Sequence, residues 1–208
     1  MQNEEVSTKT KRTSAKALHE QILKLTIAAL MAALCYLGYT YIPTPALNDA
    51  GTKIHIGNVF VVLGALLLGP YYGGLAGAVG LSIADITSSY AASAPRTFIT
   101  KLVIGLIVGF IAVKLKKINE DGHNTKYILI WSAVATIAAL GFNCVFEPSL
   151  KWLWYTLLFP DPSKSQSAIK TLVALTAGTS FINAILNSAI SIFLYNALRP
   201  ALKKASVI

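Results

Sequence analysis

The chain has 208 residues, of which 54% are hydrophobic and only 13% are charged, and its mean hydropathy is +0.59. Soluble domains carry about 25% charged residues, so the composition excludes an ordinary soluble globular protein. The net charge of +9 does not indicate nucleic-acid binding, because basic residues in a membrane protein usually mark its cytoplasmic ends. We therefore expect an all-α integral membrane protein.

The apolar residues form long runs that follow a polar N-terminal segment. Residues 1–20 are polar and basic, and we predict a disordered cytoplasmic arm that ends in a turn at the membrane surface. Since about 20 apolar residues cross the hydrocarbon core as a helix, residues 21–204 are predicted to form a six-transmembrane-helix bundle. The predicted spans are approximately 22–41, 56–68, 71–92, 97–113, 127–146 and 169–198.

Two stretches of the chain need a separate interpretation. The second span covers only ~20 Å, so we expect it either to lie half-buried in the bundle or to borrow residues from the preceding loop. The connection 147–167 contains two tryptophans and three prolines. We predict that it forms either an interfacial helix or a continuation of the fifth span.

The distribution of basic residues predicts the orientation. Six spans place both termini on one side, and twelve Lys and Arg residues flank the spans there, against six on the other side. The side with more positive charge is usually cytoplasmic. We therefore predict a multi-pass protein of the cell membrane with both termini in the cytoplasm.

Polar side chains within the spans are the candidates for ligand binding, because such groups are costly in lipid and tend to face a cavity or a partner. Asp85 and Lys101 lie on consecutive spans, and we predict an ion pair between them. Several asparagines and one glutamate recur at helical spacing, and aromatic residues gather at the predicted outer side. The candidate substrate-binding residues are Tyr39, His55, Asn58, Asp85, Tyr90, Lys101, Asn143, Glu147, Asn183 and Asn187. The alternatives are hydrogen bonds between helices for the polar groups and interface anchoring for the aromatic rings.

Small residues recur at four-residue spacing on the first and third spans. Gly69, Gly73 and Gly77 predict close helix packing inside the bundle. On the first span, two overlapping pairs predict either internal packing or a docking face for another membrane subunit. These four residues are Ala28, Ala29, Ala32 and Ala33.

The sequence lacks the common catalytic and nucleotide-binding motifs. It contains no GxxxxGK[ST] loop, no HExxH and no GxSxG, and its three histidines lie far apart. We therefore predict no enzyme activity, no metal site and no cofactor. A small bundle without internal repeats favours a capture subunit that depends on partners for energy.

Residues 53–109 resemble the substrate-binding S components of energy-coupling-factor (ECF) vitamin transporters. The resemblance lies in Gly57-Asn58, the run LLLGP, Ala84-Asp85 with a following Tyr90, and the stretch APRTFITK. It covers residues 22–113 well and the last span more loosely.

The resemblance implies a high-affinity vitamin-binding subunit of an ATP-driven importer. The vitamin would bind near the extracellular side under a cap formed by residues 42–55. The alanine face of the first span would dock on the transmembrane T component, and two ATPase subunits would drive transport. The motifs are most similar to those of pyridoxine or hydroxymethylpyrimidine members, while riboflavin, pantothenate, folate and cobalamin remain open.

Two further hypotheses from other classes remain. One is a membrane enzyme that acts on a lipid, with Asp85 and Glu147 as acid and base. The other is a structural protein whose polar residues only join helices.

Overall fold

A computed structural model describes the backbone of residues 2–42, 53–160 and 162–204, and side chains from Ala17 onward. In these ranges six helices follow one another, and four helical segments are long and apolar enough to cross a membrane, which confirms the all-α membrane fold. The helices are α1 (Gln2–Thr40), α2 (Gly57–Leu68), α3 (Pro70–Ile86), α4 (Ala94–Gly109), α5 (Thr125–Leu153) and α6 (Gln166–Lys204). A 3₁₀ turn, Ala91–Ser93, precedes α4, and π-helical turns, Phe110–Leu115 and Trp154–Leu158, continue α4 and α5.

Helix α2 lies at the centre of the bundle. It packs against α1, α3, α4 and α6, and ten of its twelve residues are buried. Its length of ~18 Å is too short to cross the hydrocarbon core alone, but burial by its neighbours removes that requirement. The prediction of a buried second span is confirmed.

Two predicted boundaries are wrong. Helix α1 begins at Gln2, whereas the sequence predicted a disordered arm, and no Gly or Pro interrupts the chain before Gly38. Helix α5 continues past Phe146 through Pro148 to Leu153, and its π-helical turn ends at Leu158. The first part of the 147–167 connection, as far as Leu158, therefore continues the fifth span. This is the second of the two predicted alternatives.

The glycines of α3 allow close contact between helices. A Cβ atom on Gly73 would lie 2.3 Å from the Cα of Ala65 in α2, and one on Gly80 would lie 2.2 Å from the carbonyl oxygen of Ala32 in α1. These neighbours are backbone atoms, which cannot move aside as a flexible side chain can. The stripe of small residues on the third span thus packs inside the bundle.

A methyl group at Gly73 should therefore destabilise the protein. We expect Gly73→Ala to lower the free energy of unfolding by about 1–3 kcal/mol, because α2 and α3 must separate. Thermal unfolding of the detergent-purified protein measures the loss. Gly178→Ala on α6 is the matched control, since a Cβ there has no neighbour within 4 Å. Equal melting temperatures for the two variants would contradict the close packing.

The connection between α4 and α5 is attached to the other helices at the end of the bundle where α2 ends. Asn119 donates a hydrogen bond to the Leu66 carbonyl (2.8 Å) and accepts one from the Tyr195 hydroxyl (2.6 Å). Arg199 donates to the Ile118 carbonyl (3.0 Å). Asp121 lies outside the helices, and a hydrogen bond from Lys203 holds the pKa of its carboxyl below the usual range. We call this end the basic end, and the end where α2 begins the pocket end.

Candidate functional site

A polar cavity lies at the pocket end, between the ends of α1, α3 and α5 and the beginnings of α4 and α6. Its volume is ≈ 50 Å³, which is enough for water but not for a ring-sized solute. The lining is polar and charged although the helices around it are apolar. The lining residues are Tyr39, Lys53, His55, Leu81, Asp85, Tyr90, Ser93, Arg96, Thr97, Lys101, Glu147, Lys151, Thr176, Thr179, Ser180 and Asn183.

Seven of the ten predicted substrate-binding residues line this cavity, although they lie far apart in the sequence. They are Tyr39, His55, Asp85, Tyr90, Lys101, Glu147 and Asn183. Asn58, Asn143 and Asn187 do not line it, and all three are buried in the bundle. Contact of any of the ten with a ligand stays a prediction.

Glu147 is the central acceptor of the cavity. Its Oε2 atom accepts hydrogen bonds from Asn143 (2.8 Å) and Ser180 (3.2 Å) and lies 3.7 Å from the ammonium nitrogen of Lys101. The carboxylate therefore joins α5 to α4 and α6. Asn143 acts on the cavity through Glu147, which it orients.

The predicted ion pair between Asp85 and Lys101 is wrong. Asp85 accepts a 2.5 Å hydrogen bond from Thr97, and among the described residues Lys101 pairs with Glu147 instead. The extension of α5 beyond Phe146 is the physical reason, because it carries Glu147 to the beginning of α4.

Asn183 and Asn187 attach the segment that precedes α2 to α6. Asn183 accepts from the His55 amide (3.0 Å) and donates to the Lys53 carbonyl (3.1 Å), and Asn187 donates to the His55 carbonyl (3.1 Å). The amide groups thus satisfy backbone atoms that would otherwise be unpaired at membrane depth. Residues 43–52, most of the predicted cap, lie outside the described residues.

Aromatic and cationic groups meet where this segment reaches the cavity. The rings of Tyr39 and His55 pack edge to face with centroids 5.0 Å apart. The ammonium of Lys53 lies 3.7 Å from the centroid of the Tyr39 ring and donates to the Tyr39 carbonyl (2.8 Å). Burial lowers the pKa of Lys53, which lies outside the helices.

The sequence analysis missed several lining residues, among them Arg96, Lys151, Thr176 and Ser180. Helical spacing could have found two groups of them. Lys151 lies four residues beyond Glu147 on α5, and Thr176 and Ser180 continue the polar face of α6 that carries Asn183. Arg96 lies at the beginning of α4, in a stretch where the sequence pattern alone predicted a turn.

The four alanines of α1 divide between two environments. Ala28 and Ala32 are half-buried against the core, and the backbone of Ala32 contacts Gly80. Ala29 and Ala33 are exposed and line an apolar groove beside Val79 of α3. Only part of this face is available to a second subunit.

Comparison with known proteins gives one family. Among curated proteins, none matches the chain. The family model described as the S component of the ECF-type riboflavin transporter matches residues 19–200, which include α2 to α5, most of α1 and α6, and every residue that lines the cavity. The chain therefore belongs to the family of ECF-type riboflavin transporter S components.

Proposed function

We propose that the cavity at the pocket end captures a small water-soluble vitamin with high affinity, for import by an ATP-driven ECF transporter. The family consists of vitamin-binding membrane subunits of ECF transporters, which are transport proteins rather than a class of enzymes. The observation that carries the proposal is the convergence of polar side chains from five helices, most of them buried, on one cavity. Polar groups inside an apolar bundle are costly, and a bound polar solute would offset that cost.

The proposed orientation directs the cavity to the outside of the cell. The basic end carries Lys114, Lys116, Lys117, Lys126 and the basic residues at the end of α6. An excess of Lys and Arg favours a cytoplasmic location for that end, with both termini inside. The pocket end would then receive vitamin from the extracellular medium.

A vitamin requires a larger cavity than ≈ 50 Å³, since small-molecule sites usually measure about 300–1,000 Å³. Three hydrogen bonds with Asn183 and Asn187 attach the segment of Lys53 and His55 to α6. The remaining contacts of this segment with Tyr39 are a ring pair, one hydrogen bond and a cation–π contact. We propose that outward movement of this segment admits the vitamin and that its return encloses it.

Pyridoxine is the first vitamin to test. A single polar ring with hydroxyl groups suits the Tyr39 and His55 rings and the hydrogen-bonding groups around Asp85 and Glu147. Riboflavin is the second, because the matching family is described by that vitamin. Pantothenate, folate and cobalamin complete the panel.

The proposed partners are a transmembrane T component and two ATPase subunits, which would supply the energy that this chain lacks a motif to provide. Ala29 and Ala33 present small side chains on the exposed part of α1. Small residues allow a second helix to approach closely in lipid, where apolar contact alone gives little drive for association. Docking would therefore involve this face of α1.

Identification of the bound molecule tests the proposed function. The full-length protein is purified from membranes of cells grown in rich medium, and any small molecule released on denaturation is identified by mass spectrometry. We expect a vitamin in a near-stoichiometric amount with the wild type. Thr179→Phe should lose it, because Thr179 is buried and lines the cavity.

Thr171→Phe is the matched control, since Thr171 is exposed on the same helix and does not line the cavity. That variant should retain the vitamin, and both variants are compared with wild type in thermal unfolding. Recovery of a lipid product instead of a vitamin, or equal recovery from both variants, would contradict the proposed function.

A further inference from the structure

The cavity contains more positive than negative charge. Lys53, Arg96, Lys101 and Lys151 line it, whereas its only carboxylates among the described lining residues are Asp85 and Glu147. Lys101 is paired with Glu147. Of the remaining cations, Arg96 and Lys151 are buried, with 6% and 3% of their surfaces exposed. Two of the three remaining positive charges therefore lie on side chains that are removed from solvent.

Arg96 has unused hydrogen-bonding capacity inside the bundle. One guanidinium nitrogen donates to the Ser93 hydroxyl (3.0 Å), while Nη1 is buried and has no hydrogen-bond partner among the described residues. The guanidinium carbon lies 5.7 Å from the centroid of the Tyr155 ring. A buried donor without an acceptor is costly, so the position requires an acceptor that the folded helices do not supply.

Lys151 lines the same cavity as Arg96 and has no carboxylate within ion-pair distance among the described residues. Its ammonium donates to the Thr176 hydroxyl (2.7 Å), which in turn donates to the Leu172 carbonyl (2.7 Å). An ammonium has three donors, so two remain. Both Arg96 and Glu147 lie within electrostatic range of Lys151, and among the described residues neither Arg96 nor Lys151 forms an ion pair within 4.0 Å.

Both side chains are positioned by helices that form the bundle. Arg96 lies in the first turn of α4, and Lys151 lies in the last turn of α5. Side chains that only anchored the helix ends at the membrane surface would extend into water, whereas these two are directed into the cavity. Their proximity thus comes from the packing of α4 against α5 and not from a mobile surface.

We propose that Arg96 and Lys151 form an anion-binding subsite, and that the vitamin carries a carboxylate or a phosphate group that binds between them. The planar guanidinium offers two parallel donors to such a group, and the ammonium adds a second charge. Asp85 and Glu147 are engaged by Thr97 and Lys101, which leaves the Arg96 side of the cavity to the anion. This inference rests on the proposed function, and it makes anionic vitamins better substrates than neutral ones.

Matched pairs of compounds, in which one member carries an anionic group that the other lacks, test the subsite. Binding to the purified full-length protein is measured by calorimetry for pantothenate against pantothenol, riboflavin 5′-phosphate against riboflavin, and pyridoxine 5′-phosphate against pyridoxine. Inorganic phosphate alone is measured as well. We expect the anionic member of at least one pair to bind roughly tenfold or more tightly than its neutral partner. The pair that shows this preference tells whether the ligand carries a carboxylate or a phosphate.

Substitutions then assign the preference to the two side chains. Arg96→Gln and Lys151→Gln should each weaken binding of the anionic compound by roughly tenfold or more while changing the neutral one little. Arg96→Lys should bind the anionic compound more tightly than Arg96→Gln but less tightly than wild type, because it keeps the positive charge without the two parallel donors of the guanidinium. Lys170→Gln removes a charge from an exposed position near the beginning of α6 and should change neither affinity.

The results separate this inference from the proposed function. A neutral vitamin recovered from the purified protein, or equal affinity within the pairs that bind, overturns the anion subsite and leaves vitamin capture intact. Binding of inorganic phosphate alone, with no preference within any pair, overturns it as well. If no vitamin is recovered and no compound of any pair binds, both proposals fail.

Discussion

Glu147→Gln is expected to lower the free energy of unfolding by about 3 kcal/mol, because it leaves the ammonium of Lys101 buried without an anion. The side chain of Lys101 is only 4% exposed, and Glu147 is its ion-pair partner among the described residues. The substitution keeps the size of the side chain and its ability to accept from Asn143. The loss therefore reports the missing charge. Chemical or thermal unfolding of the ligand-free protein in detergent measures it.

A second substitution identifies the cause of that loss. Lys101→Met in the Glu147→Gln background removes the unpaired charge and should restore most of the stability, since a buried ion pair contributes little beyond an apolar pair of similar volume. The control is Glu120→Gln, because Glu120 pairs with Lys117 at 3.0 Å but both side chains are about 60% exposed. That surface pair should change the stability by less than about 1 kcal/mol. A double variant as unstable as Glu147→Gln alone would contradict the assigned role of the pair.

The sequence was sufficient to predict the membrane class and seven of the sixteen residues that line the cavity. Polar residues such as Asp85, Glu147 and Asn183 stand out against apolar helices, because lipid tolerates few of them. Because polar side chains are costly in lipid, the sequence predicts that these residues cluster inside the bundle. The alternating direction of the helices predicts the end of the bundle at which they cluster. The shortness of the second span indicated that it is buried in the bundle, since a helix of 12 residues cannot reach across the bilayer.

The pairing of the side chains could not be predicted from the sequence. Whether Lys101 meets Asp85 or Glu147 depends on how far α5 extends and how it packs against α4, and the predicted fifth span ended at residue 146, short of Glu147. Asn183 and Asn187 were predicted to bind a ligand, but their hydrogen bonds to Lys53 and His55 connect segments that are about 130 residues apart. Such contacts follow from the tertiary packing alone.

Ala33→Trp is expected to leave vitamin affinity within about twofold of wild type while lowering uptake by roughly tenfold or more, because a close helix–helix contact tolerates only small side chains. Ala33 is exposed and lines the apolar groove between α1 and α3, and it does not line the cavity. Ala32 is a poorer choice, since its backbone contacts Gly80 and a large side chain there would disturb the fold. Calorimetry on the purified protein measures affinity, and labelled-vitamin uptake by cells that express the complete transporter measures transport.

Ile137→Trp on α5 is the control for a large aromatic residue on the lipid-facing surface, as Ile137 is 60% exposed and lies outside the proposed docking face. It should preserve both affinity and uptake, so a defect confined to Ala33→Trp would identify this part of α1 as the surface that meets the T component. Normal uptake by Ala33→Trp would mean that the docking face lies on another helix. Loss of affinity together with uptake would mean instead that the groove supports the cavity, because α3 carries both Val79 beside the groove and Asp85 in the lining.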